Sequence, residues 1–242
     1  MIFRPAFWMT IATVPALILL LGLGGWQLWR LEWKQQLIAD FESRALAEAV
    51  APPAEDAAIL QYQRLRASGV FLHGLETAMT GKTFEGTAGY HIITPLQLDD
   101  GRILLVNRGW VAEDYRNAES RPSSLPQGQQ RFEGILRLPQ QQGRFVPDND
   151  PEGGFWFTVK PDEIARHHGL GDAVITAYTI DALRDEGPLI LPIGASVEIE
   201  MRNEHLQYAL TWFGLALGLI GVYLSWHHQT GRLRFSRPDE DR

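Results

Sequence analysis

The segment Arg202-Asn203-Glu204-His205-Leu206-Gln207-Tyr208-Ala209-Leu210-Thr211-Trp212-Phe213 holds the residues best suited to chemistry. Its ionisable side chains end at His205, and from Leu206 to Trp226 no charged residue appears. A run of that length crosses a bilayer as a helix, which needs about 20 apolar residues at about 1.5 Å each. His205 therefore stands at the mouth of a span. A neutral imidazole nitrogen ligates metals, and at that depth it meets metal centres or membrane-soluble ligands that a plain anchor does not need.

On a helix advancing about 100° per residue, Tyr208, Ala209, Trp212, Ala216, Leu219 and Tyr223 share the His205 face. Gly214, Gly218, Gly221 and Ser225 occupy the opposite one. Gly-x-x-x-Gly lets helices approach closely in lipid. The pattern predicts that the small face packs on the first span, at Gly22, Gly24 and Gly25, and that the histidine-aromatic face looks outward. Haem is one ligand that suits such a face, being flat, apolar and membrane-soluble. His205 would ligate its iron, Tyr208 and Trp212 would lie below it, and Arg202 would pair with a propionate through its planar fork. The plainer alternative is that the aromatics face lipid and His205 caps the helix.

Two apolar runs must position these residues. Phe7 to Trp29 is uncharged until Arg30 and is longer than the core of a signal peptide. Trp26 and Trp29 at its end read as an interface belt, so it is expected to be retained as a span, with Pro15 kinking it. The expected division is residues 1–6 as a tail, 7–29 as a transmembrane helix, 30–205 as one domain, 206–226 as a second transmembrane helix and 227–242 as a tail. Arg4 before the first span and Arg232, Arg234 and Arg237 after the second place both tails on the cytoplasmic side.

Within the domain, Leu31 to Ala49 continues the first helix until Ala51-Pro52-Pro53 stops it; Glu55 to Leu60 is ambiguous. From Tyr62 the period changes to two and runs to Leu72, with Gly69 marking a bulge. Glu76 to Met79 is expected to pair back on it after the turn at His73-Gly74. Tyr90 to Thr94 and Arg102 to Val111 are β-branched and aromatic, and Asp99-Asp100-Gly101 between them is a hairpin signal. Gln130 to Leu138, Phe155 to Val159 and Val174 to Ile180 are further strand segments. Pro161-Asp162-Glu163 opens a short helix through His168. Short, evenly spaced strands with few helices predict an α+β domain built mainly on an antiparallel β barrel or sandwich.

Composition excludes several functions. The 242 residues include no cysteine, so disulfides, thiolate metal sites, cysteine nucleophiles and covalent c-type haem are ruled out. A net charge of −7 argues against nucleic acid. No nucleophile elbow or phosphate loop occurs. His167 and His168 are adjacent, and on a helix they point about 100° apart, so one ion is not easily shared. His73 and His91 are isolated; His227-His228 mark the second interface. The acidic loop Asp148-Asn149-Asp150-Pro151-Glu152 reads as a rigid turn, with calcium binding or partner docking as alternatives.

Five segments together resemble the Surfeit-locus protein 1 family of cytochrome c oxidase assembly factors. They are Gly25-Trp26-Gln27-Leu28-Trp29-Arg30-Leu31-Glu32-Trp33-Lys34, Tyr90-His91-Ile92-Ile93-Thr94-Pro95, Val106-Asn107-Arg108-Gly109-Trp110-Val111, Phe145-Val146-Pro147-Asp148-Asn149-Asp150-Pro151-Glu152, and Arg202 to Tyr208 running into Trp212-Phe213. Their order and the two-span layout match across nearly the whole chain. The resemblance implies a non-enzymatic assembly factor that binds haem a and aids its insertion into oxidase subunit I, with haem a synthase, subunit I and membrane lipid as partners. The alternative is a scaffold that stabilises subunit I and binds no haem. It maps the family's histidine onto His205, the proposed haem-iron ligand. It also maps residues of the second span onto Tyr208, Trp212 and Phe213. Asn107, Arg108 and Gly109 match its Asn-Arg-Gly motif and read as structural: Gly109 for backbone clearance, Arg108 for an ion pair. Few residues precede the first span, which favours a bacterial inner membrane and a periplasmic domain.

Overall fold

The computed structural model describes residues 2–54, 58–185, 187–197 and 204–234. In chain order the elements are β1 (Ile2–Phe3), α1 (Phe7–Ala45), β2 (Arg64–Phe71), β3 (Thr77–Phe84), β4 (Thr87–Leu98), β5 (Ile103–Ala112), β6 (Gln129–Arg137), α2 (Pro161–His168), β7 (Thr179–Ala182), α3 (His205–Gln229) and β8 (Leu233–Arg234). They form two compact units, residues 1–40 with 200–242, and residues 41–199.

The first unit is helical. α1 is a single helix of 39 residues, about 58 Å long. The first apolar run and the segment after it are therefore one continuous helix, as the pattern predicts, and Pro15 lies inside it. α1 and the 25-residue α3 are both long and apolar enough to cross a membrane. Beyond their ends β1 and β8 pair antiparallel, Ile2 opposite Arg234 and Phe3 opposite Leu233.

The second unit is a barrel. Strands β2, β6, β7, β5 and β4 are hydrogen-bonded in that order, and β4 pairs again with β2, which closes the ring; β3 is added on the outer side of β4. Every pairing is antiparallel except β5 with β7, which is parallel at Val106–Ile180 and Asn107–Asp181. The barrel is thus mainly antiparallel, as the pattern predicts, with one parallel pair. The Asp99-Asp100-Gly101 turn joins β4 to β5, with Gly101 at φ +87°. β3 pairs with β4 and not back onto β2. Gly69 is not a bulge: it stands opposite Leu98 on one side and Gln130 on the other. A Cβ there would lie 2.3 Å from the Gln97 carbonyl oxygen, so closure of the ring requires glycine. Phe155 to Val159 forms isolated bridges, Met79 with Trp156 and Asp150 with Phe155, and no strand.

Apolar side chains from alternate positions fill the interior. Leu65, Leu96, Leu104, Val106, Leu136, Tyr178 and Ile180 are fully buried in one cluster. Met79, Ile93, Leu105, Trp156 and Ile164 form a second under α2. Phe41 and Ala45, the last turn of α1, pack with Ile135 in a third. α2 begins at Pro161, where the missing N–H costs nothing, and Gly169 ends it in the left-handed conformation at φ +63°.

A buried ion cluster ties the loops to the barrel. Glu76 Oε1 accepts from Arg108 Nη1 at 3.3 Å and from Thr94 Oγ1 at 3.1 Å, and Glu76 Oε2 accepts from Arg121. The Arg121 side chain is 2% exposed and also donates to Tyr115 O and Ser124 Oγ, each at 3.0 Å. Arg108 thus makes the ion pair expected of it. Gly109, at φ +116°, also fills its expected role, because a Cβ there would lie 1.9 Å from the Ile193 carbonyl oxygen.

Two predictions follow from this packing. Glu76→Gln leaves Arg121 buried without a counter-charge, so unfolding in detergent by denaturant should show a loss of about 3–5 kcal/mol. Burial, and secondarily Lys82, lowers the pKa of His91 from 6.5; burial, and secondarily His167, lowers that of His168. Below 6.5 the unfolded chain therefore binds more protons than the folded one, so stability present above 6.5 is lost as pH falls. The melting temperature should drop between about pH 7.5 and about pH 5.5, and the slope should be shallower in His91→Gln.

Candidate functional site

α3 starts where the ionisable run stops: Glu204 is its N-cap and His205 its first residue. Its partner is α1, antiparallel. The contacts follow one another down the pair. His205 Nδ1 lies 2.8 Å from Gln27 Oε1, Phe213 packs against Gly24, the Thr10 and Tyr223 hydroxyls are 2.6 Å apart, and Ala6 N–H donates to His227 Nε2 at 3.0 Å.

These contacts reverse the predicted helix faces. Ala209, Ala216 and His227 are the buried residues of α3, and they share the side of His205. Cβ atoms added at Gly214, Gly218 or Gly221 would meet nothing within 4 Å, so the small-residue face is open. Gly22 and Gly25 are open too; of the three α1 glycines only Gly24 is used, and against an aromatic ring. The physical reason is polar. Each imidazole and hydroxyl on the histidine side of α3 costs free energy in an apolar environment unless paired, and Gln27, Thr10 and the Ala6 amide pair them. Close approach of glycines offers only van der Waals contact.

At the top of the pair, the Gln27 carbonyl oxygen can only accept, so with the amide placed this way His205 Nδ1 carries the proton. Nε2 then keeps its lone pair, and it has no hydrogen-bond partner among the described residues. A ring held by one nitrogen and free at the other is the usual state of a metal-ligating histidine, whose second-shell acceptor fixes tautomer and orientation. Tyr208, one turn on, is 52% exposed, and Trp212, two turns on, is partly exposed. Arg202 lies outside the described residues. Gln27 was missed in the sequence, although the signal is there: it is the one amide in a run otherwise apolar apart from two threonines.

The other candidates serve the fold. His167 and His168 stack edge to face, centroids 4.8 Å apart, and His168 Nε2 meets Thr77 Oγ1 at 2.8 Å. His73 is held at Pro126 O and beside Glu76. His227 is fully buried, with Ala6 N–H donating to its Nε2. In the acidic loop Asp150 Oδ1 accepts the Gly153 N–H at 2.9 Å, and Asn149 Oδ1 accepts those of Phe157 and Thr158. The chain itself uses these oxygens, as a rigid turn requires.

The facing of α3 can be tested directly, because the chain has no native cysteine. Gly24→Cys with Phe213→Cys should be joined by a short bis-methanethiosulfonate reagent in membranes. Gly24→Cys with Gly214→Cys, on the open small-residue face, should not. The opposite result would restore a glycine-packed pair.

Comparison with known proteins agrees with the layout. The SURF1 family model matches residues 14–217. A SURF1-like protein of Monosiga brevicollis is 33% identical over 90% of this chain and 86% of its own length. Surfeit locus protein 1 of Homo sapiens is 35% identical over 81% of this chain and 69% of its own, and that of Rattus norvegicus is 33% identical over 80% and 67%. With the barrel strands lying in sequence between two long apolar helices, and a family match that covers all of those strands and reaches into both helices, the chain belongs to the SURF1 family.

Proposed function

We propose that this protein is a membrane-anchored assembly factor for haem-copper cytochrome c oxidase, which takes haem a from haem a synthase on His205 and aids its insertion into subunit I. It makes and breaks no covalent bond. Family membership supports the oxidase role. The haem role is carried by one observation, the His205–Gln27 hydrogen bond, which leaves Nε2 as an unshared donor to iron. Tyr208 and Trp212 supply exposed aromatic surface for a flat apolar ring, and Arg202 stands three residues before the histidine for a propionate. A single protein ligand suits a carrier that must release its cargo.

In the same proposal α1 and α3 cross the inner membrane, with both tails on the cytoplasmic side and the barrel in the periplasm. The arginines that flank the two helices support that orientation.

The full chain should be purified from cells that make haem a and its absorption recorded. The expected result is a haem spectrum in the parent protein, its loss in His205→Ala, and occupancy reduced about 10–100-fold in Gln27→Leu. A colourless parent that still co-purifies with subunit I would replace haem carriage by a scaffold role.

A further inference from the structure

Three of the family-like segments have no part in that proposal, and all three reach one cavity in the barrel unit, the last of them through Val146. It measures about 410 Å³, within the range of small-molecule sites. His91 of the first segment and Asn107 of the second line it, with Lys82, Arg137 and Asp181.

Asn107 organises the polar wall. Its Oδ1 accepts the Gly109 N–H at 3.1 Å, and its Nδ2 donates to Asp181 Oδ1 at 2.9 Å and faces His91 Nδ1 at 3.2 Å. An amide N–H only donates, so His91 Nδ1 accepts and the ring proton sits on Nε2. Asp181 also accepts from Arg137 Nε at 2.6 Å, which neutralises both charges. Two of the donors on this wall remain beside that network. His91 Nε2–H has no hydrogen-bond partner among the described residues, and the Lys82 ammonium has neither an ion pair nor a hydrogen bond among them. Burial holds His91 neutral near neutral pH, so the cavity carries one uncompensated positive charge. Met79, Ile93, Phe157 and Val159 give the wall an apolar stretch, beside the polar Gln140, Gln141, Thr158 and Thr179.

We propose that this cavity is a binding site for a small monocarboxylate with an apolar body, its carboxylate held between Lys82 and His91 Nε2 and its body against Met79, Ile93 and Phe157. One positive charge matches a carboxylate better than a phosphate dianion, which commonly calls for an arginine fork or several donors. The site is independent of haem carriage and stands or falls separately from it.

The test uses the full-length protein in detergent micelles and fluorine NMR. 4-Fluorobenzoate should show saturable binding, and the isosteric 4-fluorobenzamide should bind about tenfold more weakly or worse. Lys82→Gln should weaken benzoate about tenfold, Lys82→Arg should retain it, and Arg166→Gln, on the exposed side of α2, should leave it unchanged. Circular dichroism melts of each variant establish that the barrel is folded. Equal affinity for acid and amide, an unaltered Lys82→Gln, tighter binding of inorganic phosphate, or no saturable binding at all would each overturn the site.

Discussion

A pair of apolar helices cannot leave imidazoles and hydroxyls unpaired at its contact, and that constraint governs the helical unit. α3 carries His205, Tyr223 and His227 along one side. Each finds its partner on α1 or in the residues just before it, at Gln27, Thr10 and the Ala6 amide. The spacing of the partners matches: Gln27 to Thr10 and His205 to Tyr223 are nearly equal lengths of helix. Three polar contacts thus set register, rotation and direction together, as a stripe of glycines could not. The same requirement fixes the histidine's tautomer, so the contact that holds the helices also prepares Nε2.

The barrel depends on a different economy. It closes through a strand, β2, that is shared at its far end between β6 and β4, and Gly69 is the residue that lets both approach. One carboxylate, Glu76, then gathers two arginines from separate elements, Arg108 on β5 and Arg121 in the loop beyond it. Such a cluster adds little to stability in itself, since desolvation offsets most of the attraction. What it supplies is a defined position for a long loop that has few apolar residues to anchor it.

Much of this was legible beforehand. Both apolar helices, the Asp99-Gly101 hairpin and the Pro161 helix follow from local patterns, because the length of an apolar run, turn chemistry and strand alternation are local properties; Arg108 and Gly109 were marked out by the family resemblance. Strand partners were less legible. β3 turns to β4 because the ring needs β2 elsewhere, and β7 enters parallel after a long excursion; neither is written in period or propensity. The facing of α3 was misread for a related reason. A helical wheel shows which residues share a side, but the side that packs is chosen by the partner, and Gln27 on α1 decided it. The histidine at the helix start could be seen in the sequence; the glutamine that orients it was visible only as an unexplained polar residue in an apolar stretch.

The parallel pairing of β5 with β7 carries a consequence for biosynthesis. β7 lies between β5 and β6, yet it is made last of the barrel strands, after the long stretch from Arg137 to Thr179. Until Thr179–Ala182 has left the ribosome, β5 and β6 each present an unpaired edge that invites association with other chains. Chains ending before Thr179 keep those edges permanently, so a premature stop there yields an adhesive fragment instead of a smaller working barrel.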